Sequence, residues 1–210
     1  ERSLLRIFYL RDFQKTYKVK DFVHFDNDVL IYLPFNKVSG SFDSSKFNIS
    51  FSNNKRVVFG YSFIPSFSNF DKLCILLEEK LLEGAKNKWG FHNGLPPNEM
   101  DLMGMVLNEN LTQFNLLPNL PYTSNIVFDP LGYGQYLDGT EDYPKKFYSG
   151  KYLNLNDIIP VELYTKRINF KFKNKTPFVT WNNNEFKMAN LHIQSKRLGK
   201  FLPSNYKKYN

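Results

Sequence analysis

From Ser3 to Tyr17 the chain sets Leu4, Leu5, Phe8, Tyr9 and Phe13 close to a 3.6-residue period, which predicts an amphipathic helix packed on a sheet. A short polar connection, Lys18 to Asp21, leads to an apolar strand over Phe22–Phe25. That run stops at Asp26-Asn27-Asp28 and resumes at once from Val29 to Leu33. Helix, strand and acidic tip read as half of a βαβ unit, and in open α/β sheets ligands bind outside the carboxyl ends of strands. Asn36 to Ser45 is polar and rich in Gly and Ser, the pattern of a loop. Lys46–Phe51 alternates weakly and Arg56–Ile64 is nearly all apolar, so both read as strands, the second buried.

Ser68 to Asp71 resembles a capping box that opens a helix running to about Glu83, with Gly84 as its stop. Asn87 to Pro97 reads as a loop that carries His92. Asn98–Phe114 follows as a second helix, with Met100, Met103, Val106, Leu107 and Leu111 on its apolar face. Ile126–Phe128 is a short strand. Asp129–Thr140, carrying Gly132, Gly134 and Gly139, reads as a loop whose backbone can approach a ligand closely, or as a plain surface loop. Glu141–Asn156 is a long polar loop. Val161–Phe172 and Pro177–Trp181 form a strand pair around Asn174-Lys175, and Phe186–Ile193 is the last strand. No repeat or linker interrupts the pattern. The expectation is one α/β domain over residues 1–210, a mixed central sheet flanked by helices.

Composition narrows the class. Of 210 residues, 42% are hydrophobic and 17% aromatic, enough for a sizeable core and too many for a disordered chain. The formal net charge of +8 favours anionic partners such as nucleotides, phosphorylated substrates or an anionic membrane surface. The basic residues are scattered, without the stripe of a nucleic-acid groove or a zinc-finger or helix-turn-helix signature, so nucleic acid is not expected as the partner. The single cysteine, Cys74, excludes an internal disulfide framework and reads as a small buried hydrophobe. No apolar run approaches the ~20 residues of a membrane span. The chain begins at Glu1, already inside a helical pattern, which suggests that an N-terminal part is missing.

The chemistry centres on Asp26 and Asp28. Two carboxylates two residues apart, between β-type runs, repel each other and are costly to desolvate unless a positive charge joins them. A divalent cation is such a partner: carboxylate oxygens suit Mg²⁺ and Mn²⁺, and such ions usually share their coordination with substrate phosphates. The plain alternative is a strand-end turn, where Asp and Asn are common. Glu99 and Asp101, in the first turn of the second helix, complement its dipole in the same plain reading. His192 can be a ligand or a strand histidine satisfied by a backbone carbonyl, and His24 reads as structural.

Three segments, HFDNDVLIY, FDPLGYGQYLDGT and NLHIQSKRL, in that order, resemble a bacterial and viral family of nucleotide-diphospho-sugar transferases with the GT-A fold. The resemblance runs from about Glu1 to Leu202. The chain departs from it at Gln194, where the family carries a second His, and at Asp138, where it carries Gly. The family's nucleotide-binding first strand is not expected within these residues, either because the chain is a truncated fragment or because the base pocket is reduced. The resemblance implies a GT-A-like, Rossmann-like fold and a metal-dependent glycosyltransferase. Its Mn²⁺ or Mg²⁺ would be held by Asp26, Asp28 and His192. Asn27, Ser195 and Lys196 would contact the donor diphosphate, Lys196 as a point charge. Gln135 and Asp129 would line the donor-sugar or acceptor pocket, Glu99 or Asp101 would act as general base, and Tyr133 or Tyr136 would stack on a sugar face. The implied partners are a nucleoside-diphosphate sugar and a glycan or lipid-linked acceptor, in a cytoplasmic setting with room for peripheral membrane association. A competing expectation is a non-catalytic basic α/β module that binds anionic glycan or nucleic acid, and a third is an inactive fragment of the enzyme.

Overall fold

The computed structural model describes residues 2–53, 56–87, 97–139 and 157–202. The expected loops around His92 and over 141–156 lie outside these residues. Helix α1 (Arg2–Tyr17) packs on α3 (Phe67–Lys86), and with α4 (Glu99–Glu109) they cover a four-stranded sheet. That sheet runs β1 (Phe22–Phe25), β4 (Arg56–Ile64), β3 (Phe47–Asn53), β5 (Phe114–Leu116). Its core joins Phe47, Ile49, Val57 and Phe59 of the sheet to Ile7, Phe70, Leu73, Leu77, Leu102 and Val106 of the helices. A second four-stranded sheet runs β6 (Ile126–Val127), β9 (Asn184–Met188), β8 (Thr176–Trp181), β7 (Asn169–Lys173), with α6 (Ile158–Tyr164) contributing Ile159 and Leu163 to its core. Between the two lies a ribbon of two strands, β2 (Val29–Ile31) and β10 (Asn190–His192). Val29, Tyr61, Phe128 and Ala189 form a third cluster that ties ribbon and sheets together. The class is mixed α/β, as expected.

Several elements differ from their expected form. Strand β1 pairs antiparallel with β4, so the acidic tip is not the end of a parallel βαβ unit. Among described strands only β3·β5 and β6·β9 run parallel. Helix α1 buries Ile7 and leans Leu4, Phe8 and Leu10 on the core, while Leu5, Tyr9 and Phe13 are exposed. Helix α3 starts two residues early, capped by the Ser66 hydroxyl accepting from the Asn69 N–H at 3.2 Å, and it carries Gly84 inside, buried, rather than stopping there. Tertiary packing outweighs the ~1 kcal/mol propensity cost of a helical glycine. Helix α4 is capped by Asn98, and it ends at Glu109 because Asn110 turns its side-chain amide back onto the Val106 carbonyl.

The polar stretch after Leu33 contains a one-turn helix, α2 (Phe35–Val38). The expected strand Val161–Phe172 is two elements, α6 and then β7. Ile159 and Leu163 lie four apart on the buried side of α6, and Pro160 falls in the first turn, where no N–H partner is lost. The last strand breaks at Ala189, whose N–H donates to Val127 and whose carbonyl accepts from Tyr32 and Leu33. One continuous run therefore serves two sheets. The Asn174-Lys175 turn joins β7 to β8 with both residues at positive φ, as a tight hairpin turn requires. No helix among the described residues is long and apolar enough to cross a membrane.

Candidate metal centre

Asp26 and Asp28 bracket the turn by which the chain leaves the first sheet for the ribbon. The Asp26 N–H donates to Gly60 of β4, and the Asp26 carbonyl accepts from Val29 at 3.0 Å, closing a β-turn with Asn27 exposed at its second position. The antiparallel register sets His192 opposite Val29, so the end of β10 lies beside Asp28. A bond from the Ile193 N–H to the Asp28 carbonyl, 2.7 Å, extends the pairing past the turn. One carboxylate oxygen each from Asp26 and Asp28 and one ring nitrogen of His192 lie within 4.8 Å of one another, the convergence expected from the sequence.

The imidazole is fixed from both sides. Its Nδ1 is 2.8 Å from the Pro130 carbonyl, which can only accept, so Nδ1 carries the hydrogen and Nε2 faces Asp28 Oδ1 at 3.1 Å. Metal-bound histidines are oriented in this way, with one nitrogen on a carbonyl and the other on the ion. Two glycines make the space. A Cβ on Gly60 would stand 2.8 Å from both Cε1 and Nδ1 of the ring, and a Cβ on Gly134 would stand 1.9 Å from the His192 carbonyl oxygen.

Each carboxylate has one imidazole and one permanent cation. Asp28, buried, is paired with His192 and with Lys196 Nζ. Burial alone would raise its pKa, but His192 and Lys196 hold it well below the ordinary carboxylate range. Asp26 is touched by Arg6 from α1 and, at 3.3 Å, by His24 Nε2, whose ring stacks on Phe59. Burial is again outweighed, by the His24 hydrogen bond and the Arg6 charge, and the pKa is lowered. The buried His192 is pushed down by desolvation, yet the contact with Asp28 prevails and its pKa is raised above 6.5.

The other predicted residues surround this centre in different ways. Asp129 is buried and fully engaged: its carboxylate accepts the N–H groups of Tyr133, Gly134 and His192, each at 3.0 Å. The first two belong to the opening turn of a helix, α5 (Gly132–Asp138), where the sequence suggested a loop. Burial pushes the Asp129 carboxyl up to about 6, offset in part by these donors. It is placed to hold α5 against β10. Tyr133 is fully buried with its hydroxyl on the Asn119 carbonyl, so it cannot stack on a sugar, whereas Tyr136 is exposed.

Gln135 bonds Gln194, tying α5 to the segment after β10. Ser195 donates to Asp138 at 2.6 Å, and Arg197 Nε to the same oxygen at 2.7 Å. Asp138 thus anchors the turn that carries Lys196, whose φ is 60°. Glu99 joins the centre through Arg6, which spans from Asp26 to both Glu99 oxygens, while Asp101 faces Arg56 at 3.4 Å. Sequence reasoning missed Arg6, Gly60 and the contact of His24 with Asp26. Alternation in β1 gave one hint, since His24 and Asp26 share a face of that strand.

In chemical terms the centre offers two hard oxygen donors, one imidazole oriented by a carbonyl, and two cationic side chains at its rim. Compared with protein-family models, curated proteins and solved structures, the chain matches none of them.

Proposed function

We propose that this chain is a metal-dependent glycosyltransferase domain that moves a sugar from a nucleoside-diphosphate sugar to a glycan or lipid-linked acceptor. The observation that carries the reading is the convergence of Asp26, Asp28 and His192, distant in sequence, with ligand atoms within 4.8 Å and the imidazole oriented by the Pro130 carbonyl. The donor set fits the ion: carboxylates suit Mg²⁺ and Mn²⁺, and an imidazole favours the softer Mn²⁺ of the two. Arg6 and Lys196 each pair with one of the two carboxylates, so a divalent ion must compete with them there.

A divalent ion there would supply Lewis-acid charge to a diphosphate leaving group. Lys196, its side chain 49% exposed, would turn from Asp28 to a phosphate oxygen. The GT-A fold belongs to the same reading and rests on the three sequence segments. Calorimetric titration of UDP, GDP and ADP, with and without MnCl₂, tests it. Binding of one nucleotide that needs Mn²⁺ and is lost in Asp28→Asn is the expected result. Nucleotide binding indifferent to Mn²⁺ and to Asp28 overturns it, and metal-independent binding of a sulfated glycan or an oligonucleotide would point instead to a basic binding module.

A further inference from the structure

The two cations at the centre differ in what else they hold. Lys196, itself exposed, extends from the turn after β10 to Asp28. Arg6 bridges two acids: Nη1 rests on Asp26, and Nη2 reaches the Glu99 oxygens at 3.1 and 3.3 Å. Glu99 is itself nearly buried, with a side chain only 9% exposed. The Nε of Arg6 is buried without a hydrogen-bond partner among the described residues. Its guanidinium carbon lies 5.6 Å from the centroid of Phe59, the ring that also stacks on His24.

We propose that Arg6 is a movable counter-ion. It neutralises Asp26 while no divalent ion is bound. When the ion arrives it leaves Asp26, pivots on Glu99 and binds the diphosphate of the incoming ligand. The inference rests on the metal-dependent nucleotide-sugar reading above and adds a residue and an order of events to it.

The physical case is one of charge and geometry. A guanidinium on Asp26 and a divalent cation beside it repel strongly, so the two compete for the charge of that carboxylate. Removing a half-buried cation from its partner is costly unless a second anion receives it, and Glu99 is that anion. A guanidinium has five N–H donors in a fixed fork. Glu99 occupies Nη2, so leaving Asp26 frees Nη1, and Nε is already unused. Once freed, Nη1 can donate a charge-assisted hydrogen bond to a phosphate oxygen while Nη2 stays on Glu99. The Phe59 ring beneath the guanidinium carbon offers the charge a cation–π partner as it turns.

The test uses MnCl₂ and inorganic pyrophosphate, a diphosphate probe with no base or sugar, on the whole chain. Mn²⁺ affinity is read calorimetrically, then pyrophosphate affinity at saturating Mn²⁺. Arg6→Gln should bind Mn²⁺ alone several-fold tighter, because a competing cation is gone. It should bind pyrophosphate roughly tenfold or more weaker, the size of a charge-assisted hydrogen bond. Glu99→Gln should do the opposite to Mn²⁺ and weaken it, since Arg6 then has no second carboxylate to move to. The double variant Arg6→Gln with Glu99→Gln removes the orphaned buried charge. It serves as the folded stand-in if Arg6→Gln alone melts, and should reproduce the Arg6→Gln pattern. Unchanged or weaker Mn²⁺ binding in Arg6→Gln, or unchanged pyrophosphate binding, overturns the Arg6 proposal alone. No Mn²⁺ binding by the native chain overturns the metal reading and the Arg6 proposal with it.

Discussion

Replacing Gly60 by alanine puts one methyl group against the imidazole of His192. The new carbon would stand 2.8 Å from Cε1 and Nδ1, where ordinary contact begins near 3.4 Å. The ring must retreat by about 0.6 Å to reach that contact, an order-of-magnitude reading of the overlap. It has little freedom to do so. The side chain is 8% exposed, Nδ1 is held at 2.8 Å by Pro130 O, and Nε2 is held at 3.1 Å by Asp28. Retreat stretches one of these bonds. Losing a hydrogen bond costs about 0.5–1.5 kcal/mol and overpacking a core about 1–3 kcal/mol, so stability should fall by roughly 1–3 kcal/mol.

The effect on metal should be sharper, because ligand bonds tolerate only about ±0.2 Å. Mn²⁺ affinity is expected to drop about 10- to 100-fold, or ~1.4–2.7 kcal/mol, as for loss of a partner that orients a ligand. Gly40→Ala is the matched control, since nothing stands within 4 Å of a Cβ there. The assay is calorimetric titration of MnCl₂ beside a urea melt of the same samples. Native-like Mn²⁺ affinity in a folded Gly60→Ala protein would refute the claim that His192 is a ligand held in place by this contact.

Asp129→Asn should cost on the order of 2–6 kcal/mol in a urea melt, because the amide nitrogen that replaces Oδ2 would leave the N–H groups of Gly134 and His192 without an acceptor. A loss below ~1 kcal/mol would show that α5 does not depend on this carboxylate. The Asp28–His192 pair sets a pH dependence of opposite sign for fold and metal. His192 is raised above 6.5, so its contribution to stability is complete below 6.5 and disappears as pH rises through the higher folded value. Mn²⁺ needs Nε2 unprotonated, so its affinity should rise over that same interval with release of a proton, measured by titration in buffers of different ionisation enthalpy. No proton release near neutral pH would remove His192 from the ligand set. Lys196→Ala should weaken nucleoside-diphosphate binding by about 1.5–3 kcal/mol with the melt unchanged, and unaltered affinity would make Lys196 a solvated partner of Asp28 only.

Strands β1, β3, β4 and β8 and helices α1, α3 and α4 were legible in the chain because apolar periodicity and capping residues are local signals. So was the pair Asp26 and Asp28, which stands out because carboxylates rarely interrupt apolar runs without a partner. The helices α5 and α6 were not legible. Glycines and β-branched residues speak against a helix, and what supports α5 is the Asp129 carboxylate on its first turn, a contact that also depends on β10 lying alongside. The packing of Leu4 but not Leu5 against the core on α1 was decided by where the helix docks, which its own periodicity does not encode.

The centre divides in the same way. Residue types announced candidate ligands, but a histidine at the far end of the chain becomes a partner of Asp28 only through the β2–β10 register and the break at Ala189 that lets one run serve two sheets. Arg6 carries no local mark of function. It reaches Asp26 and Glu99 because α1 and α4 both pack on the sheet that ends in the acidic turn. The sequence by itself determined which segments were apolar enough to be strands and where charge interrupted them. The tertiary structure alone decided which charges met, because that depends on pairing between segments far apart along the chain.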